Sequence, residues 1–443
     1  MMQRVGTISL WLLGCAVVFA SCNIYDPYLV MIRGRGDIGL LIASFVVAGA
    51  LLFRGYWAGR GIGERLLVLL WCLPPVGMLA AETTFREHKL SVLRAEGVQA
   101  QNLGRHFIVG YTSAAEVAPL AAKGLIGGIY VSRHNIAGRT SADLRSEIEA
   151  LQDIRRTAGL APLIVAADQE GGIVSHLSPQ LTALPALSTL TTLPPDQRAI
   201  AAEEYGRTHG RELASVGVTL NFAPVVDLLR SHQRNRFDFN SLISQRAISG
   251  DPAVVAEIAA GYIRGLEASG VEATLKHFPG MGRVQADTHH FSANLDTPQS
   301  ELEASDWIPF RQTLARSNAY LMVGHVAVTA VDSTRPASHS KRMINDLVRD
   351  QWGFRGIIVT DDLVMGAIYL HGACSAVVEA LNAGADLLLV AYDGLQYYRV
   401  FDCALGASAR GELDGLSLQK SDARLKSRIG GHQASAQIER QLH

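Results

Sequence analysis

The sequence is poor in charge. Of 443 residues only 18% are Asp, Glu, Lys or Arg, against roughly 25% in an average soluble domain. Lys and Arg total 40 against 41 Asp and Glu, for a formal charge of -1. Without a basic excess the chain has no electrostatic footprint for nucleic acid, and that partner is excluded. It also lacks the composition of a disordered chain, because 48% hydrophobic residues can bury a sizeable core. Metal-ligand spacing, a glycine loop for phosphates and a solenoid repeat are all missing, so no metal or cofactor is expected. Cysteine is scarce, at five. Cys15, Cys22 and Cys72 lie in apolar segments, and Cys374 and Cys403 stand in the body without a pattern. Such a pair reads as neither a disulfide framework nor a metal site.

What is present in excess is apolar sequence. Mean hydropathy is +0.16, and the first 83 residues account for most of it. Val5–Tyr25 has no charge over 21 residues, and Ile38–Phe53 and Leu66–Ala81 have none over 16 each. A helix crossing a bilayer core needs about 20 residues, which the first segment supplies. The shorter two need Arg54, Arg60 and Arg65 to snorkel to the interface. Pro74 and Pro75 interrupt the third, which a membrane helix tolerates where neighbours satisfy the freed carbonyls. Residues 1–83 are therefore expected to form a membrane anchor of about three transmembrane helices, with the lipid bilayer as partner. The other possibility is a signal peptide followed by core helices: Arg4 and the apolar run resemble its first two regions, and Phe19-Ala-Ser-Cys22 an imperfect lipoprotein box. Arg54, Arg60 and Arg65 against Arg33 and Arg35 lean towards a C-terminal domain outside the membrane.

From about residue 100 short runs rich in Val and Ile alternate with Ala-, Glu- and Arg-containing helical stretches. Candidate strands are His106–Tyr111, Gly128–Val131, Leu163–Ala167, Val218–Ala223, Ala273–His277, Ala319–His325, Gly356–Thr360 and Asp386–Ala391. Little internal alternation suits parallel strands buried on both faces. Eight of them favour a (β/α)8 TIM-like barrel over a doubly wound sheet, giving an α/β fold preceded by the transmembrane helical region. The expected division is 1–83 anchor, 84–100 linker, 101–430 barrel and 431–443 tail. A barrel demands its chemistry at the C-terminal ends of strands. Polar residues do collect there: Asp168-Gln-Glu170, Lys276-His277, His325 and Asp361-Asp362. One such Asp would read as a helix cap; four placements together do not.

The segment from Lys276 to His289 leaves a strand, passes Pro279 and two glycines, and carries Asp287 and His289 two apart. An Asp beside a His orients the imidazole and raises its basicity, which makes a general acid/base near neutral pH. Taken alone, the segment also fits an ordinary polar loop with a local Asp–His contact.

Lys276–Gly282 with Asp287-Thr-His289 resembles the signature of family 3 glycoside hydrolases of the β-N-acetylglucosaminidase type. Matches follow in family order: Asp168-Gln-Glu-Gly-Gly172, Asn221–Asp227, Arg246 in Ser-Gln-Arg-Ala, Gly324-His-Val326, Gly356–Gly366 and Ala383–Leu388. The resemblance covers roughly residues 100–430. It implies that Asp361 is the nucleophile of a retaining exo-enzyme with a covalent glycosyl intermediate. Asp362 then caps the next helix or bonds its neighbour. His289 would be the acid/base, oriented by Asp287, and a neutral acid avoids a second negative charge beside the nucleophile. Asp168, Arg246, Lys276 and His277 would contact sugar hydroxyls, where charge-assisted bonds discriminate strongly. Asp227 and His325 stay open between supporting the site and structural hydrogen bonding. The implied substrate is an N-acetylglucosamine-containing glycan, terminal β-linked sugar on peptidoglycan-derived muropeptides. The implied place is a bacterial inner membrane with the barrel on the periplasmic side. Met281 and Ile173 replace the family's usual His and Arg and would make the rim less polar. A β-glucosidase-like relative of the same family and a catalytically silent glycan-binding membrane protein are the rival functions.

Overall fold

The computed structural model describes residues 2–58, 61–230, 241–284, 287 and 292–442. Arg60, expected to flank an apolar helix, and His289, expected as the acid/base, lie outside the described residues. The chain divides into two compact units, Met1–Arg94 and Ala95–His443.

The first unit is three helices: α1 (Met2–Cys22), α2 (Arg35–Phe53) and α3 (Ile62–Arg94). They share a small core of Val17, Ala48, Leu51, Leu67, Val68 and Trp71. Their outer faces stay apolar, with Leu12, Phe19, Phe45, Phe53 and Leu79 all exposed. A water-facing bundle would put polar residues there. Two of the helices, α2 and α3, are long and apolar enough to cross a membrane, whereas the apolar part of α1, Gly6–Cys22, is shorter. The sequence ranks these lengths the other way round, because hydropathy marks where charge begins and not where a helix stops. Residues 84–94, expected as linker, are the last turns of α3. Glu, Lys, Leu and Arg are good helix formers, and Glu82 pairs with Arg86 one turn on at 2.5 Å.

The second unit is built on eight parallel strands: β1 (Phe107–Gly110), β2 (Gly128–Val131), β3 (Ile164–Ala167), β4 (Leu220–Asn221), β5 (Glu272–Phe278), β6 (Tyr320–Val323), β7 (Ile358–Asp362) and β8 (Leu387–Val390). They pair in chain order and close, β8 against β1, with Phe107 opposite Leu388. The (β/α)8 expectation holds, and each expected run overlaps one barrel strand, although β5 and β7 run past the expected ends to Phe278 and Asp362. Alternate residues (Ile108, Tyr130, Ala166, Leu220, Tyr320, Met322, Val359, Leu389) fill the interior as one cluster. The residues between them, such as Val109, Val165, Leu321 and Leu388, are also buried. Both faces are therefore apolar, which is why these strands show no polar alternation in sequence.

Two features fix the barrel away from its mouth. The wholly buried Asp386, just before β8, accepts from Arg349 Nη2 at 2.6 Å, Ile358 N at 2.7 Å, Ser421 Oγ at 2.7 Å and Arg424 Nε at 2.8 Å. One carboxylate thereby joins the start of β7 to the C-terminal helix Gly415–Leu442. Charges buried this way hold only as a set, since losing one partner strands the other. The second feature corrects the sequence reading of cysteine. Cys374 and Cys403 form a disulfide, with Cα atoms 5.4 Å apart. They sit on the helices Gly366–Ala383 and Gln396–Ala409, which follow β7 and β8. Adjacent strands bring those helices side by side, a proximity that spacing along the chain does not reveal.

Candidate active site

The polar residues at the strand ends form one network. β5 extends to Phe278, so Lys276 and His277 belong to the strand itself and are buried at its last turns. Lys276 Nζ pairs with Asp168, which follows β3, and lies 2.5 Å from Glu170 Oε1. Glu170 is gripped from the other side by Arg246, whose Nη2 and Nε donate at 2.6 and 2.9 Å. Arg246 Nη2 also donates to His277 Nε2 at 3.3 Å. The four residues expected to bind sugar, Asp168, Arg246, Lys276 and His277, thus meet in one place, and Glu170 is the link between them. Burial alone would push the Asp168 and Glu170 carboxyls up. Lys276 overrides it for Asp168, and Arg246 with Lys276 for Glu170, so both are held below the ordinary carboxylate range.

His277 is fixed from beneath. Its Nδ1 faces Asp227 Oδ2 at 2.8 Å while its Nε2 accepts from Arg246, which defines the tautomer. The wholly buried Asp227 also accepts from His277 N at 3.1 Å and Met281 N at 2.6 Å. It therefore holds both the strand end and the first turn of the loop that leaves it. His325 bonds Ser338 Oγ at 2.8 Å, and its Nε2 donates to the Asp362 carbonyl at 2.8 Å, steadying the end of β7.

The two aspartates closing β7 differ sharply. The Asp362 side chain accepts from Val364 N at 3.0 Å, Ala391 N at 3.1 Å and Tyr392 N at 2.7 Å. It is occupied in holding the loops after β7 and β8. Asp361 is only partly buried, and its Oδ1 accepts from the Asp362 N–H at 2.9 Å. Asp287 is buried; its expected partner His289 lies outside the described residues.

Two residues of this site escape the sequence reading. Glu170 is visible only as part of Asp168-Gln-Glu170, with nothing to say that it bridges Lys276 and Arg246. Tyr130, on β2, donates to Asp168 Oδ2 at 2.7 Å and meets His176 Nδ1 at 2.9 Å. Burial, then the Asp168 charge, push the Tyr130 hydroxyl well above its ordinary pKa, and Asp362 adds to the effect. That phenol ties the β3 end electrostatically to the β7 end. An aromatic in the middle of a Gly-Ile-Tyr-Val strand gives no such signal. Met281 is a correction: it is buried, so it does not line the rim, whereas Ile173 is 42% exposed on the turn after Gln169–Gly171. An open groove of about 1530 Å³ lies at the opposite end of the barrel, along the starts of β5, β6 and β7. It is lined by Arg311, Arg355, Arg424, Arg428, Glu267 and Glu272, among others, and by none of the candidate residues.

Acidic and basic groups thus converge at the C-terminal ends of the barrel strands, where a fold of this kind holds its chemistry. Residues 88–427 match the family model described as glycosyl hydrolase family 3 N terminal domain. The chain belongs to that family and is a glycoside hydrolase. It is 36% identical over 274 residues to the beta-hexosaminidase of Stenotrophomonas maltophilia (strain R551-3), covering 61% of this chain and 77% of that protein. To the beta-hexosaminidase of Xanthomonas oryzae pv. oryzae (strain KACC10331 / KXO85) it is 34% identical over 322 residues, covering 69% and 92%. The solved glycoside hydrolase family 3 beta-N-acetylglucosaminidase from Paenibacillus sp. str. FPU-7 superposes with a TM-score of 0.68 at 30% identity. That match covers 76% of this chain, which spans 63% of the Paenibacillus chain.

Burial, and the neighbouring Asp361 charge, push the Asp362 carboxyl up to about 6 against the pull of its three backbone donors. A carboxyl raised on folding holds its proton more tightly in the folded state. The stability it contributes is full below about pH 4 and is lost as pH rises through 6. Urea unfolding of the wild type and of Asp362→Asn should therefore diverge with pH. The advantage of the wild type should shrink by up to about 3 kcal/mol between pH 4 and pH 7. A pH-independent difference contradicts this.

Proposed function

We propose that the chain is a retaining exo-β-N-acetylglucosaminidase that removes terminal β-linked N-acetylglucosamine from peptidoglycan-derived glycans. The observation that carries it is the division of labour at the end of β7. Asp362 is committed to three backbone N–H groups, and the partly buried Asp361 precedes it at the C-terminal end of β7, the same end of the strands at which Lys276, Asp168, Glu170, Arg246 and His277 converge. The beta-hexosaminidase relatives supply the sugar.

In the first step an Asp361 oxygen attacks the anomeric carbon from the face opposite the aglycone. The bond from that carbon to the leaving oxygen breaks, and His289 gives its proton to that oxygen. The product is a glycosyl ester on Asp361. In the second step His289 takes a proton from water as the water oxygen attacks the same carbon. Asp361 leaves as a carboxylate, and two inversions give net retention. Asp287 orients the imidazole through both transfers. Asp168, Arg246, Lys276 and His277 hold the sugar hydroxyls; because they already hold one another, little reorganises when the sugar arrives.

The apolar outer faces of α1, α2 and α3 support anchorage in a bilayer, and the Cys374–Cys403 disulfide supports a barrel on the periplasmic side of a bacterial inner membrane. Disulfides persist in oxidising compartments and are rare in the cytosol. The three cysteines that remain free, Cys15, Cys22 and Cys72, all lie in the anchor.

Detergent-solubilised full-length protein should release the aglycone from an aryl β-N-acetylglucosaminide and leave the matching β-glucoside nearly untouched. Asp361→Ala should abolish turnover, and His289→Ala should lower kcat by about a hundredfold or more. Unchanged activity in the Asp361 variant sinks the nucleophile assignment, and a preference for the glucoside sinks the substrate. For the location, protease added to intact spheroplasts should digest the barrel while a cytoplasmic marker survives. Protection of the barrel alongside that marker contradicts the periplasmic placement.

A further inference from the structure

One buried carboxylate outside the sugar-binding network reaches both loops that border the site. Asp306 lies between the short helices Gln299–Ala304 and Ile308–Leu314 and is 1% exposed. Its Oδ2 accepts from Arg230 Nη2 at 2.9 Å, Arg283 Nε at 2.8 Å and Ser305 Oγ at 2.7 Å. Arg230 belongs to the loop after β4, which leads on to Arg246. Arg283 belongs to the turn Met281–Arg283 after β5, which leads on to Asp287. The next residue, Trp307, donates from Nε1 to the Pro279 carbonyl at 3.0 Å, and Arg283 Nη1 reaches Glu301 Oε1 at 2.7 Å.

The turn is thus gripped from two sides. Asp227 holds the Met281 N–H from the barrel, and Asp306 holds the Arg283 guanidinium from the helical layer. If these groups only joined helices to the barrel, apolar packing would do as well, because burying charge costs solvation that a well-packed apolar pair does not. What a carboxylate–guanidinium contact adds is direction. Its geometry fixes where the loop stem leaves β5.

We propose that Asp306 is a positioning residue for the reaction. It fixes the stems of both rim loops, and through Arg283 it sets where the loop bearing Asp287 and His289 enters the site. The inference rests on the acid/base role given to His289 above. A displaced His289 slows water attack in the second step alike for all substrates, but it slows the first step only where the leaving group needs a proton. A dinitrophenyl aglycone departs as a stable phenolate and needs none, whereas a sugar aglycone departs as an alkoxide and does.

The test compares full-length wild type and Asp306→Asn on N-acetylglucosaminides bearing each aglycone. The kcat/KM for the sugar aglycone should fall by about ten- to a hundredfold, while kcat/KM for the dinitrophenyl aglycone, which reports only the first step, stays near wild type. Amide exchange in peptides 222–230 and 276–284 should quicken while peptides from β1 and β8 keep their protection. Arg283→Gln, at a residue with a partly exposed side chain, should reproduce the selective loss and serves if Asp306→Asn does not fold. Equal losses on both aglycones, or no loss, overturn the proposal, as does unchanged exchange in the two stem peptides. A wild type inactive on both glycosides overturns the glycosidase reading and this inference with it, which distinguishes that failure from a failure of Asp306 alone.

Discussion

The interaction on which the site depends is the contact of Lys276 with Asp168 and Glu170, closed on its far side by Arg246. A charge withdrawn from water is costly unless opposite charges meet it at hydrogen-bond distance. Two carboxylates and two cations satisfy that condition together, and none of the four satisfies it alone. Their satisfaction requires the end of β3, the end of β5 and the segment before Ala247 to lie within a few ångströms of one another. The barrel delivers this at one place only. Along their length the strands are apolar on both faces, so polar groups can gather only where strands stop. Under the proposed function, the same charges that hold these segments together are the donors and acceptors that a sugar meets.

Order spreads outward from this cluster through single buried carboxylates. Asp227 takes the His277 ring and the Met281 amide, Asp362 takes the loop amides after β7 and β8, and Asp386 does equivalent work at the far end of the barrel. Each accepts several donors from different segments, so each converts a loop into a defined path. At the end of β7 it is Asp362 that holds the loop amides, while Asp361 accepts from the Asp362 N–H. Such nodes also explain why conservative-looking changes differ in consequence. Replacing the family's usual His by Met281 alters a buried side chain whose backbone N–H still reaches Asp227. Ile173 instead changes an exposed surface.

Much of this was legible in the chain. Eight apolar runs without alternation announce strands buried on both faces, and each overlaps a barrel strand, although β4 is pared to Leu220–Asn221 and β5 and β7 run past the expected ends. Asp168, Lys276, His277 and Arg246 were identifiable from motifs and do converge. What the sequence hid was partnership across distance. Glu170 bonds Arg246, 76 positions away, Tyr130 reaches Asp168 from a neighbouring strand, and Cys374 meets Cys403 because their helices follow adjacent strands. Spacing rules see neighbours along the chain, and these contacts exist only once the sheet has closed. Helix ends were hidden for a different reason. The charged residues after Ala81 end an apolar run but are themselves good helix formers, so α3 continues through them to Arg94.

The central claim is that Asp361, next to the loop-holding Asp362, carries the sugar between two displacements. A fluorinated N-acetylglucosaminyl donor with a good leaving group slows both steps but slows release more, so the ester accumulates. Mass mapping of the trapped full-length protein should place one sugar on Asp361. Turnover of the natural-type substrate with no trapped sugar, or a sugar attached to Asp362 or any other carboxylate, would contradict the account.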